Sequence, residues 1–177
     1  IDKCAARAEQ LKNKKPWEDN MLSIMGDSSR AATDLRLVDV MVDHPDSKIN
    51  TVINNVFELW KDTSAVALPG RAEPIGLTQL VFLDVGVPGG SNFPLYQDMK
   101  DKWIALGIPP EQIAFAHDAN TDVQKKELYN RVNAGRVRII VGTTGKLGAG
   151  VNMQKLLFAL HHVDAPWTPA LMEQREG

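Results

Sequence analysis

Four short apolar runs constrain this chain more than any other feature: QLVFLDV (79–85), IAFAH (113–117), VRIIVGT (137–143) and LFALHHV (157–163). Each has the length of a strand. Most are apolar at successive positions, the pattern of strands covered on both faces in a parallel sheet. Helix signals fill the gaps. Tyr96, Met99, Trp103 and Leu106 recur at helical spacing between Pro94 and Leu106, and Gly107 closes that segment. Thr121 and Gln124 form a capping-box pair ahead of a helix that stops at Gly135. Thr168 and Pro169 stand where an N-cap and a first-turn proline belong. This alternation predicts an α/β layer fold, a parallel sheet flanked by helices and joined by right-handed crossovers.

The residues before the first run read as helical. Residues 3–14 are rich in helix formers and Pro16 ends them; a second helix is predicted over 27–42 on a less regular pattern. His44-Pro45-Asp46 is a turn, because a residue before proline is pushed out of the helical region. Ser47 then caps the best amphipathic helix, with Ile49, Val52, Ile53, Val56 and Trp60 on one stripe. Pro69, Gly70, Pro74 and Gly76 mark a loop. The expected division is a helical segment over 1–75, packing on or leading into a sheet-bearing lobe over 76–177.

Composition narrows the classes. A hydrophobic share of 44% and a charged share of 24% in 177 residues describe a globular chain rather than a disordered one. No run of 18 apolar residues and no signal-peptide layout occur, so no membrane partner is expected and the cytoplasm is the natural compartment. A single cysteine excludes an internal disulfide and a cysteine-based zinc site, and no metal ligands are expected. A net charge of −2 argues against a free-standing nucleic-acid binder, yet leaves room for contact along one edge. Starting without methionine and ending inside a helix pattern, the sequence reads as an excised fragment.

In open parallel sheets, ligands sit beyond the carboxyl ends of the strands. Two segments there stand out. Thr144-Gly145-Lys146-Leu147-Gly148-Ala149-Gly150-Val151-Asn152 carries three glycines, which let backbone approach a phosphate or another backbone closely. It is not a P-loop: Leu147 follows Lys146 where Ser or Thr is needed, and Ile140 occupies the first glycine position. The second is Asp164-Ala165-Pro166-Trp167-Thr168-Pro169 leading to Gln174 and Arg175. Taken singly, the first reads sooner as a structural turn than as a ligand loop, and the second as a solvated helix face.

In this order and spacing the segments resemble the C-terminal motor lobe of superfamily 2 helicases. TQLVFLD is similar to that lobe's first strand. Thr144 to Asn152, with its Gly-x-Gly-x-Asn ending, is similar to motif V, and Asp-x-x-Trp-x-Pro with Gln174 and Arg175 to the entry of motif VI in Swi/Snf-type translocases. DSSRAATDLRLVD, SKINTVINNVFELW, GIPPEQIAFAHDANTDVQKKELYNRVNAG, KLGAGVNMQ and LHHVDAPWTPALMEQREG further resemble the large helicase proteins of phages and mobile elements, often fused to an adenine-specific DNA methyltransferase. The resemblance spans residues 21–177; Val151 and Thr168 depart from it, standing where threonine and arginine are expected.

The resemblance implies a RecA-like lobe that meets ATP and Mg²⁺ across a cleft shared with a missing N-terminal lobe carrying the P-loop. Gly148, Gly150, Asn152, Gln174 and Arg175 are the expected ATP-cleft residues, Asn152 satisfying backbone groups of the motif VI helix. No catalytic residue is expected within the chain; the arginine fingers belong beyond Gly177, and the isolated fragment is expected to be inactive. Thr144, Lys146, His117 and Thr121 are the expected DNA-phosphate contacts. Plainer readings stand beside these: Lys146 solvated, His117 packed or capping. His161 and His162 point to opposite sheet faces and cannot share a metal. Trp17, Trp60 and Trp103 read as packing residues, and Trp167 as a wedge holding the motif VI helix against the sheet. Two other functions fit parts of the pattern: a sugar-nucleotide-binding lobe of a two-lobed glycosyltransferase, and a non-catalytic scaffold lobe in a restriction or conjugation complex.

Overall fold

The computed structural model describes all residues except Ile1, Pro16, Arg71, Ser91, Asn92, Ala149, Gly150, Val151 and Gly177. Its elements run α1 (Asp2–Gln10), α2 (Met21–Thr33), α3 (Lys48–Asp62), β1 (Thr78–Phe82), α4 (Leu95–Ala105), β2 (Ile113–Phe115), α5 (Asp122–Asn133), β3 (Ile139–Gly142), α6 (Thr144–Leu147), β4 (Leu157–His162) and α7 (Pro169–Glu176). The strands form one sheet in the order β2-β3-β1-β4, with every pairing parallel. The fold is the expected one: an α/β, RecA-like parallel sheet flanked by helices, with a helical segment ahead of it.

The unbroken apolar runs have their explanation in two cores. Val81, Leu83, Ile139 and Val141 face α3 and α4, packing on Ile49, Ile53, Val56, Met99 and Trp103. Leu80, Phe82 and Ile140 face the other way, onto Leu128 and Val132 of α5 and onto Leu147 and Met153. Because side chains alternate across a strand, residues 80–82 of β1 and 139–141 of β3 are apolar at successive positions and fill both layers. His161 and His162 follow the same alternation. His161 meets Gln79 at 2.8 Å on the α3 side, while His162 stacks on Phe82 on the other.

Helix α3 is an integral layer of this lobe. The Trp103 indole donates to the Ile53 carbonyl at 3.1 Å, and Gln79 Nε2 to the Val56 carbonyl at 3.0 Å. Arg138, at the start of β3, donates to the Trp60 carbonyl (2.6 Å), Thr63 Oγ1 (3.0 Å) and the Leu77 carbonyl (3.2 Å). Burial without a carboxylate partner pushes its guanidinium down to about 10. Gly76 makes room for it, since a Cβ there would stand 2.2 Å from Arg138 Nε.

The second helix lies earlier than the pattern over 27–42 predicts. It begins at Asn20, whose side chain accepts from the Ser23 amide at 2.9 Å, and it ends at Thr33. Asp34 then caps a short 3-10 turn over Leu35–Val38. Two tryptophan expectations also need correction. Trp17 is 79% exposed and packs no core, and Trp167, 68% exposed, wedges nothing against the sheet. Both sit on turns that offer an indole no apolar layer to enter. Among the described residues no helix is long and apolar enough to cross a membrane.

Candidate functional site at the carboxyl rim of the sheet

Three strands deliver polar residues to one rim: Asp84 just beyond β1, Thr144 beyond β3 and Asp164 beyond β4. Arg175, in the last turn of α7, reaches back among them. Its Nε donates to Thr144 Oγ1 (2.8 Å), Nη1 to the Asp164 carbonyl (2.7 Å), and Nη2 to Asp84 Oδ2 (2.8 Å) and Asp164 Oδ1 (3.0 Å). The remaining acceptors are filled from the backbone. Asp164 Oδ2 takes the amides of Asp84 (2.5 Å) and Val85 (3.1 Å), and Asp84 Oδ1 takes the Thr144 amide (2.6 Å). Thr144 Oγ1 donates to Asp84 Oδ2 at 2.7 Å. The guanidinium lies 5.2 Å from the centroid of the Phe82 ring, and its side chain is 0% exposed.

A buried arginine with two carboxylates is tolerable only when each polar atom is paired, and here the pairing is complete enough to tie four segments together. Arg175 and Thr144 are therefore turned inward. Arg175 also lines the neighbouring groove, and the Thr144 hydroxyl, donating to Asp84 and accepting from Arg175, has no proton left to donate to a phosphate. The direct phosphate contact expected of Thr144 is corrected on that ground: the residue braces the loop that carries Lys146.

Gly148 and α7 meet closely. A Cβ on Gly148 would lie 2.7 Å from the Thr144 carbonyl and 3.4 Å from both Cγ and the carbonyl oxygen of Gln174. Close approach, not an unusual φ, is what glycine provides there. Gly148, Asn152, Met153, Gln174 and Glu176 line a groove of about 330 Å³ between this loop, the start of β4 and α7. Gln174 is exposed at its mouth. The Asn152 carbonyl accepts Asn133 Nδ2 of α5 at 2.7 Å, and among the described residues no hydrogen bond links Asn152 to α7. Gly150 falls outside the described residues.

Further along the rim, α6 abuts the turn that follows β2. Lys146 Nζ lies 3.5 Å from Asn120 Oδ1, bringing Lys146 beside Thr121 and His117. Thr121 caps α5, accepting the Gln124 amide at 3.2 Å while Gln124 Oε1 accepts the Thr121 amide at 3.0 Å. His117 packs edge-on against Tyr96 with centroids 5.4 Å apart. Its pKa is lowered, first by burial and then by the Lys146 charge, so the ring is neutral and the cation at this corner is Lys146.

Sequence reasoning missed Asp84 and Asp164 as site residues. Their signal was their place, Asp84 as the charged residue near the end of the first run and Asp164 directly after the fourth, where a strand hands its next side chain to the rim. Among the described residues no group of three or more His, Cys, Asp or Glu is placed to hold a metal ion. Set against known proteins, the chain matches no family model and no curated protein.

Proposed function

We propose that this chain is the second motor lobe of an ATP-dependent DNA helicase or translocase, working in the cytoplasm. The single observation that carries the reading is the convergence of the Gly148 loop and the Gln174 helix on one rim of a parallel sheet, where motifs V and VI of such a lobe belong. Gln174 and the groove lined by Gly148 and Asn152 face the nucleotide. The sequence holds no P-loop, and Asp84 and Asp164 are committed to Arg175 and to backbone amides. Residues of the partner lobe, not Asp84 or Asp164, would therefore hold the Mg²⁺ that accompanies ATP.

Coupling follows from the Arg175 network. A nucleotide pressing on α7 moves Arg175, and Arg175 is bonded to the segment that carries Lys146. Lys146 and the exposed Thr121 hydroxyl hold DNA phosphates, contacts without sequence preference that suit a motor stepping along any DNA. The lobe alone turns over no ATP.

The test is DNA affinity measured across a salt series for this chain and for Lys146→Ala. Weak binding that falls steeply with salt is expected, with a slope reduced by about one phosphate's worth in the variant. Salt-insensitive binding, or an unchanged slope in Lys146→Ala, contradicts the reading. A thermal-shift screen adds a second check: stabilisation by nucleotide sugars and not by DNA would point to a glycosyltransferase lobe.

A further inference from the structure

The turn between α1 and α2 presents an aromatic ring and three cations to solvent. Trp17 is 79% exposed, and the Lys15 ammonium lies 5.2 Å from the centroid of its ring. Lys12 and Lys14 are exposed beside it, and among the described residues no ion pair engages Lys12, Lys14 or Lys15. Of the two acids nearby, Asp19 is buried and receives Arg7 through two hydrogen bonds of 2.9 Å, and the exposed Glu18 turns Oε2 to the Lys15 backbone amide at 3.2 Å, leaving the three ammonium groups in excess. Lys15 O accepts the amides of Glu18 (2.9 Å) and Asp19 (3.3 Å), and Arg7 Nη1 reaches Asp27 at 2.6 Å, pinning α1 to α2 across it.

An indole left in water is unfavourable unless something covers it. We propose that this turn is a second nucleic-acid contact, in which Trp17 stacks on an unpaired base while Lys12, Lys14 and Lys15 neutralise the flanking phosphates. Single-stranded nucleic acid is the partner this chemistry fits: every base has a π-face, and the strand is a line of negative charge. A bilayer fits less well. Lowering Trp17 into a bilayer would bring the exposed Glu18 carboxylate, its neighbour in the chain, against the headgroup surface. The inference does not rest on the motor reading, since it concerns a different surface.

The experiment titrates the 177-residue chain with oligothymidylate while following tryptophan emission, for the native chain, Trp17→Ala, a Lys12→Ala/Lys14→Ala/Lys15→Ala triple variant, and Lys146→Ala. These side chains are exposed, and unchanged circular dichroism confirms that each variant folds. Quenching in the native chain, its loss with roughly tenfold weaker binding in Trp17→Ala, and a salt slope lower by about two in the triple variant support the proposal. Quenching retained in Lys146→Ala shows that the two surfaces act separately. Trp17→Ala binding the strand as the native chain does overturns it, as does equal affinity for polyglutamate. Trp17-dependent binding to phosphatidylserine vesicles without binding to the strand overturns it in favour of a membrane contact.

Discussion

Arg175 has four hydrogen bonds and no exposed side-chain surface, so its replacement is a test of how the rim is held. Arg175→Met removes the cation and leaves Asp164 buried with an unpaired oxygen; a loss of about 3–5 kcal/mol in denaturant unfolding is expected. Arg175→Lys recovers little of it, because an ammonium cannot reproduce the planar fork that serves Thr144, Asp84 and Asp164 together. A loss under 1 kcal/mol for the methionine variant would mean that the network is dispensable. The histidines make a second residue-scale prediction. Burial, reinforced by the neighbouring His162, lowers the His161 pKa, and burial with the Arg175 charge lowers that of His162. Since Gln79 Nε2 donates to Val56, its Oε1 accepts the His161 Nε2 proton. Both rings bind a proton less readily folded than unfolded, so the unfolded chain takes up more protons. Their stabilisation is present above the ordinary histidine value, near 6.5, and fades as pH falls below it through the lowered folded values. Unfolding midpoints should drop over that window, and His161→Gln should flatten the drop; an unchanged profile in that variant would count against the assignment.

Elements were legible wherever the signal was local. The capping box of Thr121 and Gln124 forms as the four-residue pattern required, and Ser47 caps α3 by accepting the Asn50 amide at 3.2 Å. Thr121→Ala should lower stability by about 1 kcal/mol, measured by chemical denaturation, because the Gln124 amide in the first turn of α5 loses its partner. Gly148→Ala is expected to push the Thr144 carbonyl and Gln174 apart, since the added methyl meets backbone at 2.7 Å. Faster amide exchange over 144–148 and 171–175 checks it, and exchange identical to the native chain would refute it. What stayed hidden depends on partners far away in sequence. Nothing near Asp84 announces that its amide meets Asp164, 80 residues on, or that Arg138 closes on Trp60 78 residues back. Trp17 and Trp167 were misread for the same reason: an indole's burial depends on what stands across from it, and neighbouring residues do not say.

At the scale of the molecule, the two cores on either face of the sheet fix the strands, and the strands bring Asp84, Thr144 and Asp164 to one rim. The fold class was readable from four apolar runs because a doubly covered sheet leaves no other place for them. The rim's chemistry was readable only in part, as Lys146 and Gln174 face outward while Thr144 and Arg175 turn in. The proposed division of labour, nucleotide at α7 and DNA at the Lys146 corner with Arg175 between, is a statement about which surface meets DNA. Amide chemical-shift mapping of the chain during titration with DNA tests it directly. Shifts concentrated at Asn120, Thr121, Gly145 and Lys146, fading as salt is added, are the expected result. Shifts confined to the opposite end of the sheet, around Leu77 and Arg138, would contradict it.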